Sequence, residues 1–563
     1  MKQKKKKSSS KLFLLIFPFF LIFVDTKAAI INAVSCSAID IQLAINFANN
    51  GDTVAVPAGT CTWTQDVTIP DTKGIILMGA GSASCIINTG FSIIANTQLN
   101  NCMVRITGFT FERTNLTTRI YMLGTAQNWR VDNNIFDDAN FNGPYTIEIG
   151  EKGNENLDSY NFGVIDHNQF TNRSYGTSVH VNWVRWGTLQ LDNLASGDWV
   201  WSQPAERGTA QAVYIEDNIF TGNNTASQVV DTQLGGKVVV RYNTIHNPWI
   251  STHSGCTNGG RNTPWIEFYK NSFTDDANHY TGNAIELRST SGIVFGNTSS
   301  NSISNFNIGV DHERSYRTDC IGYFGGRADG TRSFDENADS TGYRALGQPG
   351  WGQPQINDMS NPTFSGVFVW ENYNNTTLSN LFIANNNYNT SNHLQFGREL
   401  FNVANMTIGQ IANRPSTCSV TPNRDVYVST DENVQGATLY VCSSPNVWTK
   451  HWEPYSYPHP LINSNACGTP LGININLANN LKVIVFPNPF KEKLTIDLAE
   501  FRGLMYETLN LEVLDIFGRN LYEIKNIGTD QVYLYNNFLS AGIYLFRISN
   551  QNQVLITGKL IAE

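Results

Sequence analysis

An all-β fold, a long parallel β-helix solenoid followed by a small C-terminal β-sandwich, is predicted by three observations. First, short β-rich runs ending in or carrying Asn recur: VDNNIF (Val131 to Phe136), VIDHNQF (Val164 to Phe170), YIEDNIF (Tyr214 to Phe220), VVRYNTI (Val239 to Ile245), EFYKNSF (Glu267 to Phe273) and VFGN (Val294 to Asn297). Second, Asn218, Asn243, Asn271 and Asn297 stand 25, 28 and 26 residues apart. A period in the twenties with one strand signature per period marks a solenoid in which each repeat forms one coil. Third, the apolar residues of these runs lack helical spacing, and few Asn-Gly or Asp-Gly turns of the kind that joins the hairpins of propellers and sandwiches are present. The repeated Asn has a physical task. It accepts the left-handed backbone that a coil corner demands, and stacked Asn amides bond to one another from coil to coil.

At the N-terminus the basic run Lys4 to Lys7 with Lys11, thirteen largely apolar residues from Leu12 to Val24, and small residues at Ala28 and Ala29 read as a signal peptide over residues 1–27. The apolar run is shorter than the ~20 residues of a membrane span. Removing residues 1–27 takes away seven Lys and one Asp, a net +6, and moves the formal charge from −9 to −15. An acidic mature chain argues against nucleic acid or a membrane surface as partner. The nine Cys are spread along the chain, export permits disulfides, and the odd number leaves at least one unpaired. Cys418 with Cys442 is the first local pairing expected, and no metal site is expected from their spacing.

Ile39 to Ala48 has apolar residues at helical spacing and would cover the open end of the solenoid, where a sheet edge is otherwise exposed. GDTVAVPAGTCTW then begins the first coils. Here the chain resembles the pectin-lyase-like superfamily of secreted right-handed β-helix proteins, over roughly residues 30 to 470. That resemblance implies a right-handed β-helix and says much less about the reaction. The β-helix is expected over residues 28–470, with a long insertion at 304–352 where the strand pattern fades. The insertion carries Arg314, Arg317, Arg327, Arg332 and Arg344, a set suited to an anionic group, with a solvated, disulfide-tied loop as the plainer alternative. HWEPYSYPHPL (His451 to Leu461) is too rich in Pro to continue a strand ladder and is expected to pack across the last coils and close the solenoid.

After a linker at residues 471–480, residues 481–563 alternate like the strands of a small β-sandwich. Phe486 to Pro489 and Gly542 to Arg547 resemble the PNP and GxYxxR-like motifs of the type IX secretion sorting domain of Bacteroidetes. The resemblance implies the type IX machinery as a partner and a secreted or outer-membrane cell-surface location. It carries no catalysis.

Chemistry is expected on a solenoid face, where one strand per coil lines outward side chains into columns. With Ile147, Val179, Val230, Ile250, Ile285 and Val310 turned inward, one outward column becomes Glu148, His180, Asp231, Ser251, Glu286 and Asp311. The next is Gly150, Asn182, Gln233, His253, Arg288 and Glu313. Interruptions near Trp183 to Gly208, with Trp201 among their aromatics, and at the insertion would wall a groove, and aromatic faces suit sugar rings. Asp231 and Glu286, two coils apart at ~4.8 Å per coil, approach the ~6.5–9.5 Å of an inverting glycosidase, with His253 between them as a third proton-transfer group. These three are the catalytic candidates. Glu148, His180, Arg261, Glu267, Arg288, Arg317, Arg332 and Trp201 are the substrate-binding candidates. Outward carboxylates on such a solenoid also occur as plain solvated surface. For Arg261 the alternative is a surface Arg in a Gly-rich turn, and for Glu267 a salt bridge to Arg241.

An extracellular glycoside hydrolase, a monomer without cofactor acting on an anionic polysaccharide such as a sulfated, fucan-like algal one, is the leading expectation. Its first alternative is a polysaccharide lyase, in which Glu148, Asp231 and Glu286 would hold Ca²⁺ against a uronate while Arg288 or His253 removes a proton, as the resemblance to pectate lyases implies. The second is a glycan-binding adhesin without catalysis.

Overall fold

The computed structural model describes residues 28–97, 102–113, 118–124, 128–139, 145–150, 161–173, 176–182, 206–222, 227–232, 235–247, 249–252, 263–276, 283–300, 303, 306–311, 350–352, 363–379, 381–384 and 394–463, and then 475–476, 482–486, 490, 493–498, 509–515, 519–527, 531–535, 539–540, 542–550 and 554–562. Three ladders of strands enclose one apolar core. Sheet A has twelve strands, running from Ile30–Asn32 through Trp129–Asp132, Val213–Glu216, Val238–Arg241 and Ile266–Tyr269 to Leu400–Phe401. Sheet B has eleven, from Gly59–Trp63 to Thr377–Leu378. Sheet C has six strands from Val67–Ile69 to Ser227–Thr232, continued by four from Ile250–Ser251 to Leu381–Ile383. Each strand pairs in parallel with its counterpart one coil on, as Val213–Glu216 does with Val238–Arg241, and this is a parallel β-helix as the repeat predicts.

Inward side chains stack in files because the parallel register sets like above like. Phe111, Phe136, Phe170 and Phe220 form one such file, with ring centroids 5.4, 4.9 and 4.7 Å apart, and all are buried. From Trp129–Asp132 to Val367–Trp370 sheets A and B meet at two-residue corners, and here one of the two expected roles of Asn, the left-handed backbone, needs correcting. The left-handed residue is the one before it: Asn133, His167, Asp217, Tyr242, Lys270, Gly296 and Glu371 have φ between 52° and 62°. The Asn that follows, from Asn134 through Asn168, Asn218, Asn243, Asn271 and Asn297 to Asn372, is buried and builds the ladder. In Asn243, Nδ2 donates to Ile215 O, Arg241 O and Asn271 Oδ1, while Oδ1 accepts from the backbone N–H and Nδ2 of Asn218. A non-Gly residue held left-handed costs ~1–2 kcal/mol, and the ladder offsets it.

The N-terminal helix, Ala38–Phe47, is capped by Ser37, whose hydroxyl accepts from Asp40 N, and buries Ala38, Ile41, Ala44 and Ile45. Cys36–Cys61 and Cys418–Cys442 are disulfides, the second as expected, and Cys85 is a buried free thiol. Strand pairing continues beyond Ser304, since Ile308–Asp311 lies between Ile285–Arg288 and Leu381–Ile383. The remainder of the insertion is outside the described residues, apart from the antiparallel pair Gly350–Gly352 and Thr363–Ser365.

The Pro-rich segment does not close the end of the solenoid; it runs lengthwise over the outside of sheet A. Trp452 packs edge-on against Phe295, Trp370 and Tyr269, Tyr457 stacks on Tyr242, His459 N donates to Glu216 Oε1, and Ile462 O accepts from Arg130 Nη1. Beneath it Arg241 is fully buried, bonded to Glu216 Oε2 at 2.7 Å, Tyr269 Oη at 2.9 Å, and the carbonyls of Tyr455 and Ser456 at 2.7 Å each. The approach is close enough at Gly208, φ 63°, that a Cβ there would stand 1.8 Å from the carbonyl oxygen of Glu453. Towards the C-terminus, a pair of antiparallel four-stranded sheets shares an apolar cluster of its own, including Val485, Ile496, Leu511, Phe546 and Leu560.

Candidate active site

The corners of the solenoid are unequal. Sheet A passes to sheet B through two residues at most coils, but after the sheet C strands that end at Gly150, Asn182, Ser251 and Asp311 the next described strands begin only at Gly163, Val213, Ile266 and Gly350. Long connections carried on a rigid scaffold are where function concentrates. The outward side chains at that edge of sheet C are therefore the candidate site.

The first half of the predicted column is observed. Glu148 pairs with His180 and His180 with Asp231, while their inward neighbours Ile147, Val179 and Val230 are wholly buried. Glu148 also pairs with Tyr121 one coil earlier. His180 Nδ1 lies 3.8 Å from Glu148 Oε1, and its ring lies flat on Tyr145, with centroids 3.7 Å apart and planes 2° from parallel. Neither ring nitrogen of His180 has a hydrogen-bond partner among the described residues. These groups are not the solvated wall of an open groove: His180 is 1% exposed, Asp231 3%, and the side chain of Glu148 12%. Just before the third strand of the same sheet, Ile120–Gly124, Arg119 is buried close to Asp138; burial pushes its pKa down to about 10, and Asp138 opposes the shift.

The second half differs. Strands Ser227–Thr232 and Ile250–Ser251 belong to separate ladders joined by a single bridge, Gln228 to Trp249, so the column breaks between Asp231 and Ser251. Ser251 does pair with Glu286, as expected. Glu286 then pairs with Gly309, and Asp311 stands opposite Arg288 instead. Arg288 Nη2 lies 3.2 Å from Glu286 Oε2 and over the Trp249 ring at 5.7 Å. Asp231 and Glu286 are thus not two positions of one ladder. The carboxylates that are two coils apart in one ladder are Glu148 and Asp231, ~9–10 Å from the ~4.8 Å spacing before side-chain lean.

Glu267 is on sheet A, away from this edge. It is fully buried; Oε1 accepts from Gly208 N at 2.9 Å and Trp265 Nε1 at 3.1 Å, and the partner of Arg241 is Glu216 rather than Glu267. That placement removes it as a substrate contact. His253, Arg261, Arg317, Arg332 and Trp201 lie outside the described residues, as do Gln233 and Glu313 of the second column. Among the described residues no cluster of three or more His, Cys, Asp or Glu is arranged to hold a metal ion. Sequence reasoning missed Tyr145, whose contact with His180 spans two coils and leaves no mark in the spacing.

The solved structures similar to this chain include a PL6-family alginate lyase, AlyGC, and a point mutant of it. Each is 12% identical, with TM-scores of 0.32 and 0.29, over 78% of this chain and 58% of theirs. The chain thus spans little more than half the length of those proteins. No curated protein matches it. No helix among the described residues is long and apolar enough to cross a membrane. Residues 484–563 match the model of the secretion system C-terminal sorting domain, so this is a protein exported to the outside of the cell, either secreted or held at its surface.

Proposed function

We propose that the protein is an extracellular polysaccharide-cleaving enzyme, a glycoside hydrolase whose paired carboxyl groups are Glu148 and Asp231. The observation that carries this reading is their position: two coils apart on the outward face of one ladder, at the corner where the long connections depart, with His180 between them. Their ~9–10 Å separation falls to the ~6.5–9.5 Å of inverting hydrolysis with a modest lean of either side chain. One carboxyl then protonates the leaving sugar oxygen while the other takes a proton from the attacking water. Export by a sorting domain supports a polymeric substrate met outside the cell. Arg261, Arg317 and Arg332 make an anionic, fucan-like polymer the substrate class we propose; Arg288, in the ladder beyond the break, is a further cation on the same face.

Digestion of a panel of sulfated fucan, alginate, polygalacturonate and laminarin tests the reading. New reducing ends without the ultraviolet absorbance of an unsaturated uronate are expected. Both signals together mean β-elimination, and binding without either means an adhesin.

A further inference from the structure

We propose, resting on the hydrolase reading above, that His180 is the relay that returns a proton from the water-activating carboxyl to the acid carboxyl after each cleavage. Inverting hydrolysis leaves its site one proton out of place. The bond from the anomeric carbon to the leaving oxygen breaks, the leaving oxygen takes the proton of the acid, and water adds to the anomeric carbon and gives a proton to the base. The polymer has gained one water. The acid is now ionised and the base protonated, so a single proton moving from base to acid restores the site, with no other reactant.

Solvent normally does this, but these carboxyls have little access to it: Asp231 is 3% exposed and the Glu148 side chain 12%. They are also too far apart to exchange a proton directly, at ~9–10 Å for two coils. His180 occupies the intervening rung of the same ladder. An imidazole takes a proton on one nitrogen and releases one from the other, which a carboxylate or an amide cannot do across a gap of this kind. Buried polar side chains are nearly always hydrogen-bonded, yet both nitrogens of His180 are without partners among the described residues, although Glu148 Oε1 is only 3.8 Å from Nδ1. Stacking on Tyr145 fixes the plane of the ring and leaves both nitrogens free to make short-lived bonds along the ladder. Tyr145, Glu148 and Asp231 are the titratable groups next to it on the described strands, with Tyr121 one rung beyond Glu148.

A relay differs from an acid, a base or a packing residue in which turnover it serves. The resting enzyme already holds its protons correctly, so the first cleavage does not need His180 and the second does. The test is rapid-mixing kinetics of wild type, His180→Gln and His180→Ala on oligosaccharides cut from whichever polymer of the panel the wild type cleaves, with melting temperatures alongside. His180→Gln is expected to release one equivalent of new reducing ends per enzyme at a rate within about threefold of wild type, then to slow by roughly tenfold or more. Imidazole added to His180→Ala should restore the later turnovers and leave the first unchanged. A wild type that cleaves nothing sinks the hydrolase reading and the relay together. A cleaving wild type whose His180→Gln variant loses the first and later turnovers alike, or loses neither, overturns the relay alone.

Discussion

Substituting Asn243 by Ala should be among the most damaging single changes in the solenoid, although it removes no apolar group. The side chain makes five hydrogen bonds: Nδ2 to Ile215 O, Arg241 O and Asn271 Oδ1, and Oδ1 from Asn218 N and Nδ2. Each contributes ~1 kcal/mol net, and the Asn218 N–H, left buried without its acceptor, adds a desolvation cost of ~1–3 kcal/mol. A loss of about 6–8 kcal/mol is expected, comparable with the whole stability of many domains. The end of the ladder provides an internal scale. Asn372 accepts from Asn297 N and Nδ2 and donates to Val294 O and Trp370 O, with no further Asn to bond, so Asn372→Ala should lose about 1 kcal/mol less. Urea unfolding of residues 28–563, followed by far-ultraviolet circular dichroism, measures both. A loss below about 1 kcal/mol for Asn243→Ala, or a larger loss at the end than in the middle, would refute the ladder as a source of stability.

Acid should destabilise the Pro-rich segment over sheet A. Burial, with the Arg241 charge beside it, pushes His459 down to about 3, and His451 is likewise held well below its ordinary value by burial and by Arg207 and Arg424. Unfolded, each binds a proton near pH 6.5 while the folded form does not, so stability falls as pH drops from about 6.5 towards 3; for His459 the loss by pH 5 is about 2 kcal/mol. His459→Gln should flatten that slope in melts between pH 7 and 5, and an unchanged slope in this variant would clear His459 of the effect. Glu148→Gln and Asp231→Asn should each lower turnover by about 10²-fold or more with little change in melting temperature, whereas Glu286→Gln, across the break in sheet C, should cost less. Equal losses for all three would put the reacting pair elsewhere. Truncation before Leu481 should leave a solenoid that unfolds cooperatively and keeps its activity; a fragment without a cooperative transition would deny the division.

The repeat made the solenoid legible because each coil carries the same corner chemistry, and the recurring Asn does form the expected amide ladder, but the left-handed position also expected of it belongs to its neighbour. The left-handed position is filled by Asn133, His167, Asp217, Tyr242, Lys270, Gly296 and Glu371 in turn, residues with little in common, because the amide ladder beside them enforces the turn whatever the side chain. Alternation was similarly half sufficient in sheet C. It put Asp311 on the correct face, but Ile308 and Val310 are both apolar and both buried, and a period of two cannot tell one from the other. Ile308 is the residue that meets Ile285, and Asp311 therefore meets Arg288 rather than Glu286.

Glu267 shows a different limit. In Val213–Glu216, Val238–Arg241, Ile266–Tyr269 and Val367–Trp370 every residue is buried, because the segment around Trp452 to Ile462 covers the outside of sheet A. A strand covered on both sides has no solvent face for alternation to reveal, and its outward polar groups are there to meet the cover. Glu216 receives His459 N, and Arg241 binds two carbonyls of the segment, across 243 and more than 200 residues of sequence respectively. Outward carboxylates on sheet A and on sheet C look the same in the sequence. What separates them is that Glu216 finds its partners in a buried network, whereas neither ring nitrogen of His180 makes a hydrogen bond among the described residues, the nearest carboxylate oxygen being that of Glu148 at 3.8 Å. The chemistry of the solenoid is therefore to be sought on sheet C, at the rung of His180, whose ring nitrogens make no hydrogen bond among the described residues.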